Sequence, residues 1–249
     1  MEKLGCRPHK SIFQIQSVGH SPTIALIDDL FASRKLREET SSRSHSAYGN
    51  SCYSIAMLIS FVGSPCSGKT TVSALMFAQL KDTGYPVEFI PEQARYYIAA
   101  KRVETGAEAE KPLVLTDEDQ LAIMRQQHSI EAVMTTACGP SVAILTDSSP
   151  VNALLYMSEA QRANPQVQHI LSEYIRRQPL IFYVHPVSSF GVFDPNRVHS
   201  PAVAAKLNTK IPALLEQLQL PYIVLQGDSE KRAEQALSAL YSWSLGDQP

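Results

Sequence analysis

Residues 61–71 read FVGSPCSGKTT, and this stretch decides the fold. Residues Gly63 to Thr70 match the pattern G-x-x-x-x-G-K-[ST], in which a loop of backbone N–H groups surrounds a chain of phosphates. The pattern needs a buried strand before it and a helix after it. The apolar run 57–62 and the helix-compatible segment 70–80 supply both, so we predict a phosphate-binding loop here.

Each residue type in the loop has a physical role. Gly63 and Gly68 permit the turn and the close approach of the backbone to phosphate. We expect the Lys69 ammonium to reach the β- and γ-phosphates during catalysis and the Thr70 hydroxyl to ligate Mg²⁺. The following helix adds the positive end of its dipole. The predicted nucleotide-binding residues are Gly63, Ser64, Pro65, Cys66, Ser67, Gly68, Lys69, Thr70 and Thr71.

Beyond the loop, short apolar runs alternate with helical patterns. This alternation predicts an α/β fold, namely a P-loop NTPase with a five-stranded parallel sheet and helices on both faces. Thr116 is expected to cap one helix, and Pro212 to kink another. We predict strands at 57–62, 86–90, 142–146, 180–184 and 222–225. Helices are expected at 70–80, 92–103, 117–137, 151–157, 165–177, 202–218 and 228–243.

The first 55 residues differ from the rest of the chain. The Ser-rich, polar run at 35–46 shows no sustained hydrophobic period. We therefore predict that residues 1–55 form a poorly ordered N-terminal extension and that residues 56–249 form the P-loop NTPase domain. Two other interpretations stay open: a regulatory or oligomerising arm, and natural translation that starts at Met57.

Charge, hydropathy and cysteine usage exclude several classes of protein. The net charge of −2 provides no basic field for a nucleic-acid partner. No run reaches the ~18 to 20 apolar residues of a membrane span. The four cysteines lack metal-binding or redox spacing, so we interpret them as free thiols in a reducing compartment. We expect a cytoplasmic protein, and the sequence leaves its oligomeric state open.

Charged residues that follow the predicted strands are the candidates for chemistry. Asp147 follows the third strand, where a carboxylate points into the nucleotide crevice and holds the hydration shell of Mg²⁺. Glu92 follows the second strand and is placed to take a proton from an acceptor hydroxyl. Arg95, one helical turn further, is expected to bind the substrate or the γ-phosphate. Arg197, after the fourth strand, is expected to close over the transferring phosphate.

Each of these assignments has a structural alternative. Asp147 is also suited to capping the turn that follows its strand. Glu92 and Arg95 also fit a charged pair in the first turn of a surface helix. Arg197 also fits a solvated loop position.

Five stretches together resemble the NadR-type P-loop ATPase/kinase family, whose best-known activity is phosphorylation of nicotinamide riboside. The phosphate loop is common to many families, whereas the Glu-x-Ala-Arg element and the later Asp-Gln and Thr-Asp elements are more specific. The five stretches appear in the order of the family, over roughly residues 57–240. They are FVGSPCSGKTT (61–71), EFIPEQARYYI (88–98), DEDQLAIMRQQ (117–127), VAILTDSSP (142–150) and DPNR (194–197).

The resemblance implies roles for individual residues. Glu92 and Arg95 match the family's element at the end of strand two, and Asp147 matches its acidic residue after strand three. Gln120 lies on the helix that would line the acceptor pocket, and Arg125 follows on the same helix. Arg197 matches the lid arginine. The family also contains GTP-binding members and ATPases of unknown substrate, so the acceptor does not follow from the resemblance.

The sequence therefore favours an ATP- and Mg²⁺-dependent kinase that phosphorylates a nucleoside-like small molecule. Residues 207–210 resemble a guanine-reading motif but lack its Asp, so ATP is the expected nucleotide. Lys69, Glu92 and Arg197 are the expected catalytic residues. The alternative is a regulatory ATP- or GTP-binding switch with slow hydrolysis and a protein or lipid partner. A nucleic-acid motor is disfavoured by the charge.

Overall fold

The computed structural model describes residues 56–108, 113–186 and 201–245. The extension predicted at 1–55 lies outside the described residues, and so does Arg197. Both assignments stay predictions.

The described chain contains one five-stranded sheet in which every pairing is parallel. The spatial order is β2-β3-β1-β4-β5, so β1 is the central strand and is flanked by β3 and β4. All strands end at the same edge, and the residues that follow them meet there. The strands are β1 (Met57–Val62), β2 (Val87–Ile90), β3 (Ala143–Thr146), β4 (Leu180–Val184) and β5 (Tyr222–Leu225).

Helices cover both faces of the sheet, so the predicted α/β P-loop fold is confirmed. Among the described helices, none is both long enough and apolar enough to cross a membrane. The helices are α1 (Lys69–Asp82), α2 (Gln93–Thr105), α3 (Asp117–Ala137), α4 (Pro150–Leu154), α5 (Glu159–Arg162), α6 (Pro165–Arg176), α7 (Pro201–Asn208), α8 (Ile211–Gln217) and α9 (Ser229–Leu245).

The central strand is buried on both faces, which explains its continuous apolar run. Leu58 and Val62 belong to a core shared with α3, α4, α6 and α8. Ile59 and Phe61 belong to a second core, where α1 and α9 pack on the opposite face. Because successive side chains of a strand point to opposite faces, β1 needs apolar residues at almost every position.

Two predicted helices differ in the structure. The prediction of one helix over 202–218 is wrong, because α7 ends at Asn208 and α8 begins after a two-residue turn. Pro212 has no N–H, and in a continuous helix its ring would conflict with the carbonyl four residues earlier. The helix is therefore interrupted before Pro212. The helix predicted at 151–157 is shorter, since α4 ends at Leu154.

The predicted cap at Thr116 is confirmed and also joins two helices. The Thr116 hydroxyl accepts from the Asp119 N–H at 3.2 Å, and the Asp119 carboxylate accepts from the Thr116 N–H at 2.7 Å. The same carboxylate accepts from the Tyr97 hydroxyl at 2.7 Å and pairs with Lys101, both on α2. Burial disfavours its charge, but hydrogen bonds from Lys101, Tyr97 and Thr116 outweigh burial and lower the pKa of Asp119.

We predict that Asp119→Asn lowers the free energy of unfolding at pH 7 by about 1–3 kcal/mol, because hydrogen bonds to a buried charge are lost. The folded pKa is depressed, so this stabilisation is present above the unfolded pKa of about 4 and is lost as the pH falls through the folded pKa. Urea unfolding at pH 7 and at pH 3 measures both effects.

The matched control is Glu118→Gln, which removes an exposed charge from the same helical turn. It is expected to change the stability by less than about 1 kcal/mol. A difference between Asp119→Asn and wild type that stays constant from pH 7 to pH 3 would contradict the prediction.

Candidate active site

The phosphate loop connects β1 to α1 at the carboxyl edge of the sheet, and both of its glycines are required there. Gly68 has a φ of 91°, in the left-handed region where a Cβ is unfavourable. At Gly63 a Cβ would lie 2.6 Å from the Ser67 hydroxyl and 2.9 Å from the Val184 carbonyl oxygen. The first glycine therefore permits close packing, and the second permits the turn into the helix.

The Lys69 side chain reaches back across the loop. Its ammonium donates to the carbonyl oxygens of Gly63 and Ser64, each at 3.0 Å, and the residue is buried. These neutral carbonyls hold the cation over the mouth of the loop without cancelling its charge. The Lys69 charge is thus available to an anion that enters the loop.

A hydroxyl and a carboxylate meet beside the loop. Thr70 Oγ1 donates to Asp147 Oδ2 at 2.6 Å, and Ser73 Oγ donates to Asp147 Oδ1 at 3.2 Å. The Asp147 backbone N–H donates to the Ile90 carbonyl at 3.0 Å, which holds the residue in line with β2. Burial raises the pKa of Asp147, while the Thr70 hydrogen bond and the Lys69 charge oppose this rise.

Thr70 and Asp147 fit a magnesium ion by the chemistry of their donors. Hydroxyl and carboxylate oxygens are hard ligands, and Mg²⁺ is usually held by one or two carboxylates together with substrate phosphates and water. The two side chains are within hydrogen-bond distance of each other, next to the loop that would hold those phosphates. Their assignment as metal ligands stays a prediction.

Glu92 and Arg95 lie at the same edge, at the start of α2. Glu92 is the N-cap residue, and its Oε2 accepts from Arg95 Nε at 3.1 Å. Arg95 Nη2 approaches Thr70 Oγ1 to 3.5 Å, so the guanidinium lies between Glu92 and the phosphate loop. The Glu92 charge also raises the pKa of Asp147. The structure thus brings together Lys69, Thr70, Glu92, Arg95 and Asp147.

An aromatic side chain lies within electrostatic range of this group. Burial and the negative charge of Glu92 raise the pKa of the Tyr156 hydroxyl, as does the nearby Cys66. Two tyrosines that follow Glu92 in the sequence lie differently: Tyr96 is exposed, and the Tyr97 hydroxyl is bonded to Asp119. Of these three tyrosines, Tyr156 is the one coupled to the candidate site.

The hydrogen bonds that gather the site, within the described chain, include neither Gln120 nor Arg125. Gln120 is buried in the first turn of α3. Arg125 is exposed, donates to Gln166 at the start of α6, and lines an open groove of about 660 Å³ between α2 and α3. Their predicted role in an acceptor pocket stays a prediction.

A buried network behind the site was missed from the sequence. The Gln127 side-chain oxygen accepts from the Gln93 N–H at 3.2 Å, and its amide group donates to Thr146 Oγ1 at 2.7 Å and to Glu131 Oε1 at 2.9 Å. The network links the neighbour of Glu92 to the neighbour of Asp147. A polar residue that ends the apolar run of β3 was the available signal.

The Gln93 N–H sets the orientation of the Gln127 amide, and Glu131 accepts from the amide hydrogens. A backbone N–H only donates, so the amide oxygen must face Gln93 and the amide hydrogens must face Glu131 and Thr146. Burial raises the pKa of Glu131 to about 7. The carboxyl is fully buried, and in the described chain its second oxygen has no hydrogen-bond partner.

The parallel sheet and the loop between β1 and α1 define a P-loop NTPase fold. Residues 58–232 match the model of the AAA domain family, and the chain belongs to that family.

Two solved structures of NadR proteins are similar to this one. The NadR protein in complex with NR has 16% identity and a TM-score of 0.55 over 78% of this chain and 52% of that chain. The NadR protein in complex with NAD and AMP-PNP has 14% identity and a TM-score of 0.50 over 76% and 50%. This chain therefore spans about half the length of either NadR chain, and at these identities the likeness shows a common fold. No curated protein sequence matches the chain.

We predict that Gln127→Met speeds exchange of the Gln93 amide hydrogen at least about tenfold, because that N–H loses its acceptor. The substitution is also expected to lower the free energy of unfolding by about 1–3 kcal/mol, since buried partners are left unsatisfied. Native-state hydrogen exchange followed by NMR or mass spectrometry measures the first effect, and urea unfolding measures the second.

The control for this prediction is Gln126→Met, the same substitution at the exposed neighbour. It should leave both quantities near their wild-type values. If the Gln93 amide exchanged no faster in Gln127→Met than in Gln126→Met, the network would not hold the start of α2.

Proposed function

We propose that the protein is an ATP-dependent kinase that transfers the γ-phosphoryl group of ATP to a hydroxyl of a nucleoside-like small molecule. The observation that carries the proposal is the position of Glu92 and Arg95 beside Thr70 and Asp147. A nucleotide-binding switch needs a phosphate loop and a metal site. A carboxylate free of the metal pair, held at the same edge, is what an acceptor hydroxyl requires.

The phosphate loop is proposed to bind the triphosphate of ATP. Backbone N–H groups at the start of α1 and the Lys69 ammonium would surround the β- and γ-phosphates. Thr70 and Asp147 would hold Mg²⁺, which when bound supplies charge neutralisation at the phosphate oxygens. The NadR protein solved with AMP-PNP has the same fold, which supports a nucleotide at this loop.

In the proposed reaction Glu92 accepts the proton of the acceptor hydroxyl as its oxygen attacks the γ-phosphorus. The bond between that phosphorus and the oxygen bridging it to the β-phosphate breaks, and ADP leaves with the bonding electrons. Arg95 both orients the Glu92 carboxylate and lies beside Thr70, so its charge is available to the transferring group. We also propose that Arg197 closes over the transferring phosphate, as the sequence predicts.

A nucleoside-like acceptor is favoured by two observations. Burial and the charge of Glu92 raise the pKa of the Tyr156 hydroxyl, so an aromatic residue lies within electrostatic range of Glu92, and aromatic faces stack on planar rings. A NadR protein of the same fold was solved in complex with NR.

We further propose that the protein is cytoplasmic, which the free thiols of Cys66 and Cys138 support.

We predict that γ-labelled ATP transfers label to nicotinamide riboside or to another nucleoside of a panel, with release of label to water measured for comparison. Glu92→Gln should lower the transfer rate about 10²- to 10⁴-fold, as expected when a general base is lost. Lys69→Ala should abolish transfer. Glu88→Gln is the matched control, because Glu88 is an exposed residue on β2 that pairs with Lys81, and it should keep the wild-type rate.

One outcome would count against the kinase, and a second would count only against the role of Glu92. Label released slowly to water, unchanged by any acceptor and by Glu92→Gln, would instead identify an NTP-binding switch. Equal rates for Glu92→Gln and Glu88→Gln with a labelled acceptor would leave a kinase but remove Glu92 as its base.

A further inference from the structure

An arginine from the last described helix reaches the underside of the phosphate loop. The Arg232 side chain on α9 is fully buried. Its Nη1 donates to the Ser67 carbonyl oxygen at 2.9 Å, and its Nη2 donates to the His185 carbonyl oxygen at 2.5 Å. One guanidinium therefore joins α9, the phosphate loop and the end of β4.

The Arg232 charge is not neutralised by a carboxylate at ion-pair distance in the described part of the chain. Burial lowers the pKa of the Arg232 guanidinium, and the negative charge of Asp228 opposes this shift. A guanidinium nevertheless remains charged in proteins. Burying an unpaired cation costs several kcal/mol. Within the described residues the hydrogen-bond partners of this buried cation are carbonyl oxygens, and an anion in the adjacent phosphate loop would compensate its charge.

The bond to Ser67 also controls the direction of an N–H of the phosphate loop. The Ser67 carbonyl and the Gly68 N–H belong to one planar trans peptide, so they point in opposite directions. With the carbonyl held toward Arg232, the Gly68 N–H points away from the Arg232 guanidinium. The left-handed φ of Gly68 then lets the chain enter α1.

Arg232 is buried because it lies on the face of α9 that packs against the sheet. Arg232 shares its face of α9 with Ala236 and Leu240, which belong to the core against the sheet. At this helical spacing an apolar residue would suffice for a helix that only packs. The guanidinium is thus placed where packing does not require it and where the phosphate loop passes.

We propose that Arg232 is a positioning residue of the phosphate loop, which orients the Ser67–Gly68 peptide and supplies positive charge behind the bound phosphates. This inference rests on the nucleotide binding in the proposed function, but not on transfer to an acceptor. The competing explanation is a tie between α9 and the sheet, whose loss would not depend on the number of phosphates in the nucleotide.

The test measures the dissociation constants of ATP, ADP and AMP, each with Mg²⁺, by calorimetry on the full chain. We expect Arg232→Met to weaken ATP binding about tenfold or more, ADP less, and AMP least, because the lost charge acts on each phosphate. Arg232→Lys keeps the charge and should recover part of the ATP affinity. A purely structural tie would weaken the three nucleotides equally.

The matched control is Arg177→Met, which removes a guanidinium with a buried Nη1 at the end of α6, away from the loop. It should leave all three dissociation constants unchanged. Thermal unfolding verifies that each variant is folded, and Arg232→Lys decides the question if Arg232→Met does not fold.

The outcomes separate this inference from the proposed function. Equal weakening of ATP, ADP and AMP, or wild-type affinities in both Arg232 variants, would overturn the inference and leave the kinase intact. Suppose that the Arg232 variants lose affinity in proportion to the number of phosphates, but the wild-type protein transfers label to no acceptor. This result would support the positioning role of Arg232 and overturn the kinase proposal. A wild-type protein that binds none of the three nucleotides would overturn both.

Discussion

The hydrogen bond from Thr70 to Asp147 is the interaction on which the site depends. It joins the first turn of α1 to the end of β3, two elements that are 77 residues apart in the sequence and adjacent in space. Its geometry follows from the strand order, because β3 pairs directly with β1 and both strands end at one edge. The sheet therefore places the hydroxyl of Thr70 and the carboxylate of Asp147 next to the phosphate loop. Glu92 follows β2, the strand that pairs with β3 on its other side.

Positive charges lie around this bond. The Lys69 ammonium donates to two carbonyl oxygens of the loop, and the Arg232 guanidinium donates to the carbonyl oxygens of Ser67 and His185. Between Glu92 and Thr70 stands the Arg95 guanidinium. Carbonyl partners hold a cation in place and leave its charge unneutralised, so Lys69 and Arg232 keep their attraction for anions in a region of low dielectric constant.

Much of the fold was predictable because its signals are local. The loop pattern occupies eight residues, and the strands at 57–62, 180–184 and 222–225 have the predicted bounds. The meeting of Glu92 with Asp147 followed from the rule that parallel strands share a carboxyl edge. The Gln127 network and Arg232 were not foreseen, because side-chain contacts between distant segments leave no spacing pattern. Arg232 lies 165 residues from its Ser67 partner, and only its position on the buried stripe of α9 hinted at it.

The contact between Arg232 and Ser67 has a consequence for how the protein is made. The phosphate loop is synthesised before the helix that supports it, which follows all five strands. During translation the strands and α1 emerge before α9, so the loop is exposed while its lower support is still missing. Contacts of such large sequence separation also form at high loop-closure cost. We therefore expect the loop to gain its Arg232 contact late in folding, once α9 packs on the sheet.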